Sequence, residues 1–371
     1  MNALLTIPSN TPLLAPPMNY CPNGSARWFN IPMGLDKGKT LFYYDYIVGK
    51  GEPESTVVFV HGNPESSYTY RHIRDALIQS GQSMRIIAMD HIGFGLSDQA
   101  SFEMIEMHHA KNLLQLIQQL NLSQVTLAVH DWGGPIGIGA FIQEPWRLRN
   151  LVVMNSTVFP MPSDGFTYEN YPLSWLPWCH TPRLIADSLW GGMAAYAVSH
   201  GGPQSAFKFI LGTLKYILYH TLTLIPQDSV EYVWSQSLRP KANARSSKRM
   251  VRQTPFWGHG YTYKDKTHGL QDNHSFYEFI QNNIASSWGP SGMNIEVAGF
   301  FGRWDPCGKD SVIAQWQTAL PSMKNNTHTF DDVGHFVEEH KGQEIAEAIL
   351  NMHQSNIRKE DVKAVANTAE L

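Results

Sequence analysis

Five side chains in this sequence have the types and settings to do chemistry on a saturated carbon. Asp131 follows the apolar, β-branched run Val125-Thr-Leu-Ala-Val129 and His130, and precedes Trp132-Gly133-Gly134. A strand entering a helix through a sharp turn, with glycine just beyond it, describes a nucleophile elbow; here the elbow carries a carboxylate instead of serine. A carboxylate is already ionised at pH 7 and attacks carbon without a base. The product is an alkyl ester of Asp131 itself, which water must then cleave. His335, in Asp331-Asp-Val-Gly-His335-Phe, is the candidate base for that water, a role that typically supplies ~10²–10⁴-fold. Asp305, in Gly302-Arg-Trp-Asp305-Pro, is the candidate carboxylate that orients His335, with Asp310, Asp331 and Asp332 as nearby competitors. Asn63 and Trp132 each offer a backbone N–H for an oxyanion hole. Each also carries a side-chain N–H donor suited to a departing anion that has no proton to accept.

These residues require strands that end together. Thr40 to Val48 reads as an early strand. Thr56 to Val60 and Met84 to Met89 are short, mainly apolar runs, as are Val125 to Val129, Leu148 to Met154 and Ile295 to Phe301. Such runs are strands buried on both faces. Helical patterns lie between them, notably Met104 to Leu120, with Met107, Leu113, Leu114, Ile117 and Leu120 on one spacing. Thr327 to Phe330 is a last short strand, and a helix follows from about Val337 to Met352. Alternating strands and helices predict an α/β fold with a parallel, doubly wound sheet, whose ligands bind beyond the carboxyl ends of the strands. The order nucleophile, acid, histidine is that of the α/β-hydrolase fold. The rhythm stops after Asn155. The expected organisation is a loosely ordered Pro-rich extension over 1–26, a core over 27–156 and 266–353, a mainly helical cap over 157–265, and a frayed polar tail over 354–371.

Composition narrows the class. The 371 residues are 43% hydrophobic and 16% charged, with a formal net charge of −4. That balance gives no electrostatic case for nucleic acid or for a membrane surface. The basic cluster Lys241, Arg245, Lys248, Arg249 and Arg252 reads as a solvated helix face. Cys21, Cys179 and Cys307 are few, odd in number and widely spaced, as free thiols in a reducing compartment would be. The opening segment has no basic residue before Arg27 and is interrupted by prolines, so it does not read as a secretory signal. No run reaches the ~18 apolar residues of a membrane span. A cytoplasmic location is the expectation. His108, His109 and the cap histidines show no ligand spacing, and neither a metal nor an organic cofactor is expected.

Four motifs together resemble the haloalkane dehalogenases: His61-Gly-Asn-Pro-Glu-Ser66, Asp90-His-Ile-Gly-Phe-Gly-Leu-Ser-Asp98, Val129-His-Asp-Trp-Gly-Gly134 and Val333-Gly-His-Phe336. The likeness spans roughly 40–156 and 295–350 and is weak across the cap. It implies Asp131 as nucleophile, His335 as base and Asn63 with Trp132 as the halide-stabilising pair. The family's acid follows one of two strands. This chain has Asn155-Ser156 after the earlier one, so Asp305 takes the role, a combination similar to the third subfamily. The activity implied is hydrolysis of a small apolar haloalkane to alcohol and halide. The third-subfamily pattern is also similar to β-lactone decarboxylases of long-chain olefin biosynthesis, in which the leaving group is carboxylate. Epoxide hydrolases share His-Gly-x-Pro and His-Asp-Trp-Gly-Gly but usually have phenylalanine in place of Asn63. They protonate an alkoxide with cap tyrosines, and Tyr168, Tyr171, Tyr196, Tyr216 and Tyr219 are candidates here. Related luciferases carry a glutamate after the earlier strand, which this chain lacks. A non-catalytic interaction protein on the same fold is the alternative of another class; it would be expected to have lost the nucleophile or the base. The oligomeric state is not legible.

Overall fold

A computed structural model describes residues 6–369, with side chains through 355. Its centre is an eight-stranded sheet. The strands are β1 (Ala26–Asn30), β2 (Thr40–Val48), β3 (Thr56–Val60), β4 (Met84–Met89), β5 (Val125–His130), β6 (Leu148–Met154), β7 (Glu296–Gly302) and β8 (Thr327–Phe330). Their spatial order is β1-β2-β4-β3-β5-β6-β7-β8. β2 runs antiparallel to both β1 and β4; all other pairs are parallel. β3, β4 and β5 end level, with Val60 opposite both Met89 and Val129, so their following loops open on one edge.

Helices α1 (Arg71–Gln79), α2 (Glu106–Gln119) and α3 (Gly133–Phe141) cover the sheet early in the chain. Two buried apolar clusters lie against its faces. One joins Val58, Ile87, Leu127 and Val153 to Leu113 and Ile136. The other joins Phe59, Ile86, Ala128 and Val152 to Ile73 and Ile349. Alternate residues of each strand therefore face opposite ways, and both sides are apolar because helices cover both.

Between β6 and β7 lie α4 (Trp190–His200), α5 (Ala206–Thr221), α6 (Val230–Ser237), α7 (Lys241–Arg252) and α8 (His274–Trp288). A short antiparallel ribbon, Thr262–Asp265 with Gly269–Asp272, straddles the boundary expected at 265. The helical segment is tied down by polar contacts. Ala100 N donates to Asn243 Oδ1 at 2.8 Å, and Met104 N donates to Ser246 Oγ at 3.0 Å. After β7 come α9 (Asp310–Ala319) and, closing the chain, α10 (Gly342–Ala369).

The structure departs from the sequence reading in four places. β1 was not anticipated; its five residues pair with β2 from Ala26↔Tyr44 to Asn30↔Thr40. The proline-rich extension, from residue 6 onward, is not loose: Leu13 and Tyr20 are fully buried. Tyr20 donates its hydroxyl to Asp90 Oδ2 at 2.7 Å, and Thr11 donates to Gly95 O at 2.6 Å. Residues 1–5 lie outside the described part. The tail expected to fray from 354 continues as helix to Ala369. The basic cluster on α7 is not simply solvated, because Lys248 is buried and its ammonium lies 2.8 Å from Asp187.

Candidate active site

The elbow is built by close backbone approach. β5 ends at His130, and Asp131 sits at φ +51°, a left-handed conformation that L-residues rarely adopt. Such strain is stored where the surrounding structure over-determines it. Two glycines make the approach possible. A Cβ on Gly133 would meet Val60 O at 2.0 Å, and one on Gly62 would meet Asp131 Oδ1 at 2.2 Å. Ser156 Oγ donates to Asp131 O at 2.5 Å and fixes the turn from the other side.

All five sequence-designated residues meet here. Asp131 Oδ1 accepts from the backbone N–H of Asn63 at 2.6 Å, and Asp131 Oδ2 lies 3.0 Å from His335 Nε2. The other ring nitrogen, His335 Nδ1, is 2.8 Å from Asp305 Oδ2. Asp305 is fully buried, and its Oδ1 accepts from Cys307 N at 2.8 Å. The competing carboxylates face elsewhere: Asp310 pairs with Arg303 at 2.6 Å and Asp332 with Lys341 at 3.3 Å. Burial pulls the His335 proton off, but Asp305 and then Asp131 outweigh it and hold the imidazole well above its ordinary range.

Asn63 and Trp132 are both buried beside the nucleophile. The Asn63 side-chain amide has no hydrogen-bond partner among the described residues, on either its nitrogen or its oxygen. Trp132 stacks on Trp257 at 4.0 Å and 9°, and Trp257 spends its own indole N–H on Thr157 O at 2.6 Å. The cavity above Asp131 is lined by both residues together with Tyr168, Tyr171, Trp178, Phe209 and Phe336. It joins an aromatic wall to a few convergent polar groups, the usual make-up of a small-molecule site.

Sequence reasoning missed a second layer. Asn155 Nδ2 donates to the carbonyls of Gly334 and His335, both at 2.8 Å, and its Oδ1 accepts from Gly302 N at 3.0 Å. It thus ties together the loops that carry His335 and Asp305. Beneath Asp131, His130 Nδ1 is 2.6 Å from Glu65 Oε1 and His130 Nε2 is 2.9 Å from His335 O. Glu338 Oε2 is 3.3 Å from the same Nε2. All three side chains are fully buried. Burial, and then the charge of Asp131, push the Glu65 carboxyl up to about 8; burial also lowers His130. A protonated Glu65 and a neutral His130, donating from Nε2 to His335 O, satisfy those distances. The ligand atoms of this trio lie within 4.8 Å of one another. Two ligands on one ion, each ~2.0–2.1 Å from it, sit wider apart than the 2.6 Å between His130 and Glu65. The signal for this layer was present: Glu65, His130 and Glu338 each stand within three residues of a designated site residue.

A family described as alpha/beta hydrolase fold matches residues 55–181. The chain has the α/β-hydrolase fold. Over 315 residues, 83% of each chain, this chain is 27% identical to a cis-3-alkyl-4-alkyloxetan-2-one decarboxylase of Shewanella oneidensis. It is 25% identical over 311 residues, 81% of this chain and 83% of the other, to a haloalkane dehalogenase of Mycolicibacterium paratuberculosis. Among solved structures, a haloalkane dehalogenase from Paraglaciecola agarilytica superposes with a TM-score of 0.60 at 22% identity, covering 87% of this chain and 91% of that one.

Proposed function

We propose that this α/β-hydrolase displaces halide from a small apolar haloalkane and hydrolyses the resulting ester of Asp131. The observation that carries the reading is the Asn63 amide, buried against the nucleophile with no partner in the described protein. A buried donor left unmade costs ~1–3 kcal/mol, so its placement beside Asp131 supports an anion received there during turnover.

In the first step an Asp131 oxygen attacks carbon, the carbon–halogen bond breaks, and the halide leaves with the electron pair toward Asn63 Nδ2 and Trp132 Nε1. Alkylation removes the Asp131 charge, one of the two that hold the His335 proton, so that proton is released with the halide. The neutral imidazole, oriented by Asp305, then takes a proton from water as its oxygen attacks the ester carbonyl. The oxyanion is received by the backbone N–H of Asn63, which already lies 2.6 Å from Oδ1. Collapse passes the His335 proton to the departing alkoxide and leaves Asp131 as the acid, whose proton, the second from the water, returns to His335. The balance is haloalkane plus water to alcohol, halide and a proton.

The similarity to the oxetan-2-one decarboxylase over 83% of both chains favours a second reading. There Asp131 opens a β-lactone at the ring carbon bearing oxygen, and the leaving group is the substrate's own carboxylate. Loss of carbon dioxide then expels Asp131 and leaves an alkene, with no water consumed. A product assay on a 1-haloalkane and a dialkyl β-lactone separates the two. Halide and alcohol support the first reading; alkene and carbon dioxide, with no halide release from any haloalkane, overturn it in favour of the second.

A further inference from the structure

Helix α5 carries an apolar stripe on the wrong side for a globular cap. Phe207, Leu211, Leu214 and Leu218 recur at i, i+4, i+7 and i+11, one face of a helix. They are 75%, 56%, 58% and 53% exposed, and Leu222 and Leu224 extend the exposure past the helix end at 53% and 56%. The inward face is already occupied. Phe209 lines the cavity above Asp131, Tyr196 abuts Gly212, and Tyr216 donates its hydroxyl to Glu231 at 3.1 Å. Single exposed leucines need no explanation, but a contiguous stripe marks a partner or a membrane surface.

Charge selects between them. Residues 188–227 contain Lys208 and Lys215 and no aspartate or glutamate, in a chain whose net charge is −4. Both lysines are exposed and lie about a quarter-turn to one side of the stripe at ~100° per residue. Lysines beside an apolar face are the arrangement of a helix lying in a lipid interface, where their stems reach up to anionic headgroups. A second copy fits poorly, because pairing the stripe with itself gathers four lysines around one seam with no carboxylate on the segment to neutralise them.

We propose that the solvent face of α5 docks this protein on an anionic lipid surface, placing a helix that lines the cavity in contact with a reservoir of apolar molecules. The proposal holds whichever electrophile Asp131 attacks. The test is co-sedimentation of the full chain with vesicles of phosphatidylcholine alone or mixed with phosphatidylglycerol. Two variants accompany it: Leu211→Gln/Leu214→Gln/Leu218→Gln and Lys208→Gln/Lys215→Gln. The residues are exposed, so thermal melts should match wild type. Wild type should bind the mixed vesicles more tightly than the neutral ones. The leucine variant should lose at least about tenfold on both, since apolar burial is the shared term. The lysine variant should lose roughly fivefold per charge on mixed vesicles only. Wild type that stays in the supernatant at low salt overturns the proposal, as does a leucine variant that binds like wild type. A wild-type dimer abolished by the leucine variant, with no vesicle binding, assigns the stripe to a second copy instead.

Discussion

Removing the side-chain donors at Asn63 and Trp132 should slow carbon–halogen cleavage while sparing ester hydrolysis. The two residues differ in how they are tied down. The Asn63 backbone N–H is committed to Asp131 Oδ1 at 2.6 Å, so Asn63→Leu deletes only the unpartnered side-chain amide. Trp132→Phe keeps a ring for the 4.0 Å stack on Trp257 and keeps the backbone N–H, but loses the indole donor. Deleting one donor at a developing anion typically costs ~10²–10³ in rate. Each variant should therefore show alkylation slowed by about that factor, with a larger effect for chloride, the poorer leaving group, than for iodide. Rapid-quench measurement of halide release in a single turnover isolates this step, and decay of the alkyl adduct reports the next. The smaller ring at 132 leaves a gap worth on the order of 1–3 kcal/mol of stability, which a thermal melt registers separately. Release of chloride at the wild-type rate in both variants would show that these side chains only shape the pocket.

Asp305→Asn should lower turnover sharply by freeing the ring held at 2.8 Å, whereas Asp310→Asn breaks only an exposed pair with Arg303 and should leave steady-state rates near wild type. Equal losses in the two variants would mean that the acid is misassigned. His109 is buried with neither ring nitrogen partnered among the described residues, and its ring lies 4.9 Å from that of His91 at a 35° tilt. Burial lowers both rings, His91 to about 4. A depressed pKa gives stability that is present above the unfolded value near 6.5 and lost as pH falls toward the folded one. His109→Leu should therefore raise the melting temperature more at pH 5 than at pH 8, and a shift independent of pH refutes this. Glu65 has the opposite sign. Its carboxyl is raised to about 8, so the stability it allows is fully present below about 4.5 and lost as pH rises through 8. Glu65→Gln, which mimics the protonated form, should gain melting temperature over wild type by more at pH 8 than at pH 5; parallel curves contradict the assignment.

Much of this was legible because the signals were local. Buried parallel strands announce themselves as short, mainly apolar runs, and Val125–His130 entering Gly133-Gly134 reads as a sharp turn. Asp131, His335 and Asn63 sit where such strands end, so topology brings them together without any long-range guess. Asp305 was separable from Asp310 only by its place at the end of β7. What escaped the sequence was pairing across distance. β1 has no periodicity of its own and exists because β2 offers an edge. The 6–25 segment reads as loose from its prolines, yet Tyr20 finds Asp90 seventy residues away. Glu65, His130 and Glu338 are unremarkable singly and become one buried cluster only when the chain after β3, the end of β5 and the short helix after β8 converge. On α5, the sequence displays the apolar repeat but not that the stripe faces outward.

The central claim is that Asp131 becomes covalently alkylated. The direct measurement is intact-protein mass spectrometry of His335→Phe after exposure to a haloalkane that wild type consumes, followed by peptide mapping. Attack on carbon needs no base and ester hydrolysis does, so the variant should gain the mass of one alkyl group, located on Asp131. An unmodified mass after prolonged exposure, or an adduct on any other residue, would contradict the account.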